Sequence, residues 1–139
     1  MKAEDLMIGD WVDVYHELPD ESGFYKPLQV TGLHQNNGIC FGDSIIESPW
    51  NDPEEFEEEI KPIPLTEEIL EKNGFLVDSN GIFYLKENLK FGLIKDIDYG
   101  YWFAYRSNNE YICTCDFVHE LQHLLKLCKI EKEIKLWQQ

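Results

Sequence analysis

Two prolines one residue apart, Pro62 and Pro64, fall near the middle of the chain and limit what it can build. Proline has no N–H to give a β-ladder and fixes its own φ, so Pro62-Ile63-Pro64-Leu65 ends any sheet that precedes it and forms a rigid junction. On both sides of the junction, short β-branched and aromatic runs are punctuated by Gly, Asn, Asp and Ser, the pattern of antiparallel strands joined by tight turns.

Before the junction no segment reads as a helix. Trp11-Val12-Asp13-Val14-Tyr15 follows a Gly-Asp turn and predicts a strand. Residues 16–26 contain Pro19, Asp20, Ser22 and Gly23 and read as a loop. Leu28 to Leu33 and Gly38 to Phe41 flank Asn37-Gly38, a two-residue hairpin signal, so these runs are expected to pair. Ser44-Ile45-Ile46-Glu47 and Glu58-Glu59-Ile60-Lys61 add further short strands. Many short strands in sixty residues predict a small Src-homology-3-like β-barrel lobe over residues 1–62.

After the junction, Thr66 reads as the N-cap of a short helix that Asn73-Gly74 stops, with Ile69 and Leu70 facing inward. Phe75 to Asp78 and Gly81 to Leu85 flank a second hairpin turn, and strands are expected at Phe91–Ile94, Tyr101–Tyr105 and Tyr111–Cys115. Asp116 to Cys128 reads as the last main helix, with Asp116 as its N-cap. The expected fold class is therefore α+β. An N-terminal barrel lobe (1–62) precedes an antiparallel sheet packed with two helices near 66–73 and 117–127 (63–139).

Charge is divided unequally along this layout. Residues 1–62 hold fifteen acidic and three basic side chains, net −12, whereas residues 63–139 hold twelve and nine, net −3. Such a surface repels phosphate backbones and anionic membranes, and it suits a basic protein partner. With 43% hydrophobic residues the charge does not imply disorder. No apolar run nears the roughly 20 residues that span a bilayer, and the start is not a signal peptide, so a cytoplasmic location is expected. The oligomeric state is not legible.

The densest acidity lies around two aromatics, Trp50 and Phe56, beside Glu54, Glu55, Glu57, Glu58 and Glu59. An aromatic anchor ringed by carboxylates is a docking element for a partner. The competing reading is a solvated loop pinned by its two aromatics. A variant of the docking reading is an acidic decoy that imitates DNA phosphates. Elsewhere Tyr99, Tyr101, Trp102, Phe103 and Tyr105 suggest either a stacking platform for bases or sugars, or sheet packing, with Arg106 the nearby basic group.

One string names a chemistry: His119-Glu120-Leu121-Gln122-His123, an HExxH sequence. On a helix its histidines fall one turn apart and can hold zinc while the glutamate activates water. At 100° per residue, however, Phe117, Leu121, Leu124, Leu125 and Cys128 form the apolar stripe, and His119 and His123 point to the far side. A catalytic zinc needs a third protein ligand. The metzincin extension places Lys126 and Lys129 where Gly and His are required, and Glu131 and Glu133 lie too near to belong to a separate helix. His16 and His34 remain open as distant candidates. Cys113-Thr114-Cys115 with the two histidines makes a C-x-C-x3-H-x3-H array, but zinc knuckles use wider cysteine spacing, and all four cysteines read as small buried residues. No catalytic residue and no cofactor is therefore assigned. The alternative is a zinc metallohydrolase with ligands His119 and His123 and base Glu120.

The succession from Ile60 through Pro62-Ile63-Pro64-Leu65-Thr66-Glu67-Glu68-Ile69-Leu70-Glu71-Lys72-Asn73-Gly74-Phe75, with the later Phe117-Val118-His119-Glu120-Leu121-Gln122, resembles a family of small uncharacterised proteins. These occur in prophage-like and other mobile regions of gut anaerobic bacteria. In that family asparagine commonly stands at the position of His123, so the resemblance implies the two-part layout and no chemistry. The expected function is that of a non-enzymatic protein-binding or accessory protein of a mobile element.

Overall fold

A computed structural model describes residues 5–17, 19–20, 22–33, 39–41, 44–46, 60–106 and 110–136 of the chain. The turn at Asn37-Gly38 and the acidic-aromatic segment 50–59 lie outside the described residues. The fold is α+β, with strands in three antiparallel sheets and two helices. The chain divides into two compact units, Met1–Ile63 with Leu136–Gln139, and Pro64–Lys135.

The first unit contains β1 (Trp11–Glu17), β2 (Gly23–Gln29), β3 (Gly32–Leu33), β4 (Ile39–Phe41), β5 (Ser44–Ile46) and β6 (Ile60–Pro62). Two three-stranded sheets result, ordered β2-β1-β6 and β3-β4-β5, and among the described residues they close no barrel. Alternation along β1 sends Val12 and Val14 inward to join Leu6, Val30, Ile39, Phe41 and Ile60 in one core. Val30 is the corner between the sheets. Its N–H donates to Asp10 O (2.8 Å), and the next N–H, of Thr31, donates to Cys40 O (2.8 Å). The run Leu28 to Leu33 is thus two strands belonging to two sheets.

Within residues 16–26, His16, Glu17 and residues 23–26 are strand rather than loop. β1 and β2 pair continuously from Trp11↔Gln29 to Glu17↔Gly23. The turn residues belong only to the tip of a long hairpin. Tyr15 and Tyr25 meet edge-on at 5.4 Å, and His16 stacks on Phe24 at 5.4 Å, so the cross-strand aromatic pairs carry the ladder through this region. The Asp20 carboxylate accepts from Ser22 N–H (3.1 Å) to fix the turn. A side chain at Gly23 would collide with the Tyr15 ring, which explains a glycine there.

The second unit contains α1 (Glu67–Lys72), β7 (Phe75–Val77), β8 (Phe83–Leu85), β9 (Asn88–Lys95), β10 (Trp102–Arg106), β11 (Glu110–Thr114) and α2 (Val118–Leu127). Thr66 Oγ1 caps α1 by accepting from Ile69 N–H (3.2 Å), and Gly74 at φ 87° ends it. The five strands form a meander, β11-β10-β9-β8-β7. Phe75, Phe83, Leu85, Leu93, Trp102 and Ala104 are buried on one face, and Val118, Leu121, Leu124 and Leu125 of α2 are buried as well. Trp102, 2% exposed, donates its indole N–H to Leu65 O (3.0 Å) and meets Phe83 edge-on at 5.6 Å.

Past α2 the chain continues outside helix and strand and is clasped by the buried Asn73. Its amide donates to Ile69 O (2.8 Å) and Lys135 O (3.0 Å), and its carbonyl accepts from Lys135 N–H (2.8 Å). Ile134, the residue before Lys135, is buried. Among the described residues no helix is long and apolar enough to cross a membrane.

Candidate functional site

The HELQH string occupies the first two turns of α2, and its glutamate is used by the backbone. The N-cap is Phe117, not Asp116, and a phenylalanine side chain offers no acceptor. Glu120 Oε1 reaches back to accept the N–H groups of Asp116 (3.0 Å) and Phe117 (3.1 Å). This is the glutamate half of a capping box, which satisfies donors that a helix start leaves unpaired. The Asp116 carboxylate turns to the sheet instead and accepts from Trp102 N–H (3.1 Å). Leu65 N–H donates to Asp116 O (2.9 Å), and Pro64 bridges to Phe117, so the junction strand lies along the helix entry. One of its two carboxylate oxygens, Oε1, is thereby held by two backbone amides.

The histidines differ from the helical-wheel expectation. His119 is buried, 7% exposed, and His123 is half-buried. Phe117 stacks on the His119 ring (6.0 Å between centroids, planes 16° apart), and His123 meets it at 5.6 Å with planes 80° apart. A wheel counts only angles around one helix; here the flanking aromatic covers a first-turn side chain that the wheel leaves open. The half-buried Phe117 correspondingly leaves the predicted stripe.

Cys115 is buried, while Cys113, Cys128 and Cys40 are only half-buried, against the expectation for all four. Burial pushes the Cys113 and Cys115 thiols up, and the nearby Glu120 carboxylate adds to both shifts. Metal ligation requires thiolates, which this environment disfavours. Among the described residues no group of three His, Cys, Asp or Glu is arranged to hold a metal ion. His16 packs on Phe24 with Nδ1 3.0 Å from Val14 O, and His34 lies outside the described residues.

The aromatic run splits between environments. Trp102 enters the core, Phe103 and Tyr105 emerge on the opposite face, and Tyr99 and Tyr101 sit exposed near the β9–β10 turn, stacked at 6.4 Å. Register creates a second constellation that the linear sequence does not show. Leu76, Tyr84, Gly92, Tyr105 and Tyr111 lie opposite one another in succession and form one row across all five strands. Lys90 joins Arg106 at the end of a groove on this face, so Arg106 is not the sole nearby cation. The proposed docking residues Trp50, Glu54, Glu55, Phe56, Glu57, Glu58 and Glu59 fall outside the described residues.

Together these features define an α+β chain in which the string that suggests hydrolysis is built into a helix cap. No protein-family model matches it, no curated protein matches it, and no solved structure matches it.

Proposed function

We propose that this chain is a non-enzymatic binding or accessory protein that engages a basic protein partner through its acidic first unit. The observation that carries this reading is charge segregation: net −12 over residues 1–62 against −3 over residues 63–139. Opposite charge on a partner then sets orientation and encounter rate, and the aromatics Trp50 and Phe56 supply contact area. The engagement of Glu120 by two backbone amides supports a non-catalytic role for the HELQH segment. We read the first unit as a Src-homology-3-like curled sheet; its two short sheets sharing one core through Val30 support this. A cytoplasmic location and an origin in mobile genetic regions belong to the same proposal.

Affinity capture from the native cytosol tests it, with wild-type protein beside a variant carrying Gln at 54, 55, 57, 58 and 59. The expected result is a stoichiometric basic partner retained at ~50 mM salt and released at ~300 mM, where the Debye length falls below about 6 Å. The Gln variant should lose that partner at both concentrations. Retention that ignores both salt and neutralisation overturns the proposal.

A further inference from the structure

The outer face of the five-stranded sheet carries a groove of about 720 Å³. Its floor is Gly92, its walls are Tyr84, Tyr105, Ile82 and Ile94, and Lys90 and Arg106 stand at one end. We propose that this groove binds a planar aromatic ring bearing an anionic group, of mononucleotide size. The ring lies between Tyr84 and Tyr105 above Gly92, and the anion lies on Lys90 and Arg106.

The strand register sets the width of the slot. Gly92 pairs with Tyr84 on one side and Tyr105 on the other, so the three residues share a face with the glycine in the middle. Neighbouring strands lie about 4.8 Å apart, which puts the two tyrosine backbones roughly 10 Å apart. A flat ring in contact with a neighbour on each side at about 3.5 Å fills roughly 7 Å of that gap. A Cβ at Gly92 would stand 3.0 Å from Ile82 Cγ2, so the Ile82 side chain leans over the floor and a side chain there would narrow the slot.

A register break supplies the cationic end. Tyr84 pairs with Gly92 but Leu85 pairs with Asn88, so residues 89–91 bulge from the β8 ladder and carry Lys90 to the rim. Arg106, the last residue of β10, follows Tyr105 and lies opposite the buried Phe91, so alternation starts its side chain from the covered face and it lines the groove only at the strand's end. At about 3.3 Å of rise per residue, both cations stand within a few ångströms of the slot, the distance that separates a ring from a phosphate or carboxylate on one ligand. Neither is held in an ion pair with another described residue. Two carboxylates stand near. Asp78 lines the groove, but its Oδ1 accepts the N–H groups of Asn80 (2.8 Å) and Ile82 (3.0 Å). Glu110 pairs across from Arg106 and shares an adjoining hollow of about 360 Å³ with both cations. The two cations and the two carboxylates balance in formal charge, but Asp78 Oδ1 is turned to backbone amides, which leaves Lys90 and Arg106 as the groups that offer N–H donors to an anion. The volume suits a ring-plus-sugar-sized ligand and exceeds what a bare anion needs.

Titration calorimetry at ~25 mM salt, where weak charge pairs are least screened, tests the assignment. Adenosine monophosphate is the probe, indole-3-acetate the aromatic carboxylate arm, and adenosine and inorganic phosphate are the half-ligands. At least one ring-bearing anion should bind saturably, and each half-ligand about tenfold more weakly. Tyr105→Ala should weaken the probe and adenosine together, while Arg106→Gln and Lys90→Gln weaken the probe alone by about tenfold. Tyr105→Phe keeps the ring and should retain binding. Absence of saturable binding by both ring-bearing anions at millimolar concentration overturns the proposal. So does adenosine binding as tightly as its monophosphate, or binding indifferent to both Tyr105→Ala and Arg106→Gln. The acidic-unit reading stands or falls separately, because its test neutralises other residues.

Discussion

The two faces of the five-stranded sheet are built from the same strands by alternation, yet they carry different chemistry. On one face Phe83, Leu93, Trp102 and Ala104 are buried, and the indole N–H of Trp102 is satisfied by Leu65 O. On the other, a row of tyrosines interrupted by Gly92 stays half-open, with Lys90 at its end. One face has its polar groups matched and its apolar groups covered. The other leaves aromatic area half-exposed, which costs solubility and fits the ligand site proposed above. A single sheet thus separates the residues that hold the unit together from those of the proposed ligand site.

Substitutions should separate the faces by size of effect. Trp102→Ala removes the largest fully buried side chain among the described residues and is expected to cost about 3–5 kcal/mol in urea unfolding. Asn73→Ala strips one amide from three backbone partners and should cost about 2–3 kcal/mol, read from the same denaturation curves. Glu120→Ala deletes the acceptor at the α2 entry, with an expected loss of about 1 kcal/mol, whereas Glu120→Gln keeps an acceptor and should lose less than half of that. If Glu120→Ala proves neutral in unfolding, the cap is not what the glutamate is for. At the small end, Tyr105→Ala on the open face should change stability by no more than about 1 kcal/mol. A loss as large as that of Trp102→Ala would erase the distinction between the faces.

Thiol chemistry sharpens the same contrast without a stability measurement. Burial raises the Cys115 thiol well above its ordinary range, so at any given pH less of it is thiolate, and alkylation requires thiolate. In native protein at pH 8, mass spectrometry after iodoacetamide should find Cys115 modified more than about tenfold more slowly than Cys128, because a thiol whose pKa rises by one holds about a tenth as much thiolate. The rate should rise with pH, and denaturation should erase the difference. Equal native rates would mean that the closed face is open.

Local chemistry makes α1 readable: Thr66, the glutamates after it and Asn73-Gly74 each state their role within one turn. The strands of the second unit are readable for the same reason, because aromatic runs alternate with turn residues. The β1–β2 hairpin is hidden, since Pro19, Asp20, Ser22 and Gly23 crowd the end of a ladder that cross-strand aromatic pairs continue. At α2, two neighbouring acids compete for the cap, and the choice of Glu120 over Asp116 is made by Trp102, fourteen residues away, whose N–H takes the aspartate. The slot beside Gly92 exists only through register and a bulge, which no local pattern announces.

The Asn73 clasp also orders events in time. The meander links neighbours in sequence, so its strands can pair early through short loops, whereas Asn73 and Lys135 are 62 residues apart and can meet only after α2 has turned the chain back. The N–H of Lys135 donates to Asn73 Oδ1, and it is therefore a single proton that gains protection when the second unit is finished. In pulse-labelled hydrogen exchange it should lag the amides of β9 and β10, marking the closing step of folding.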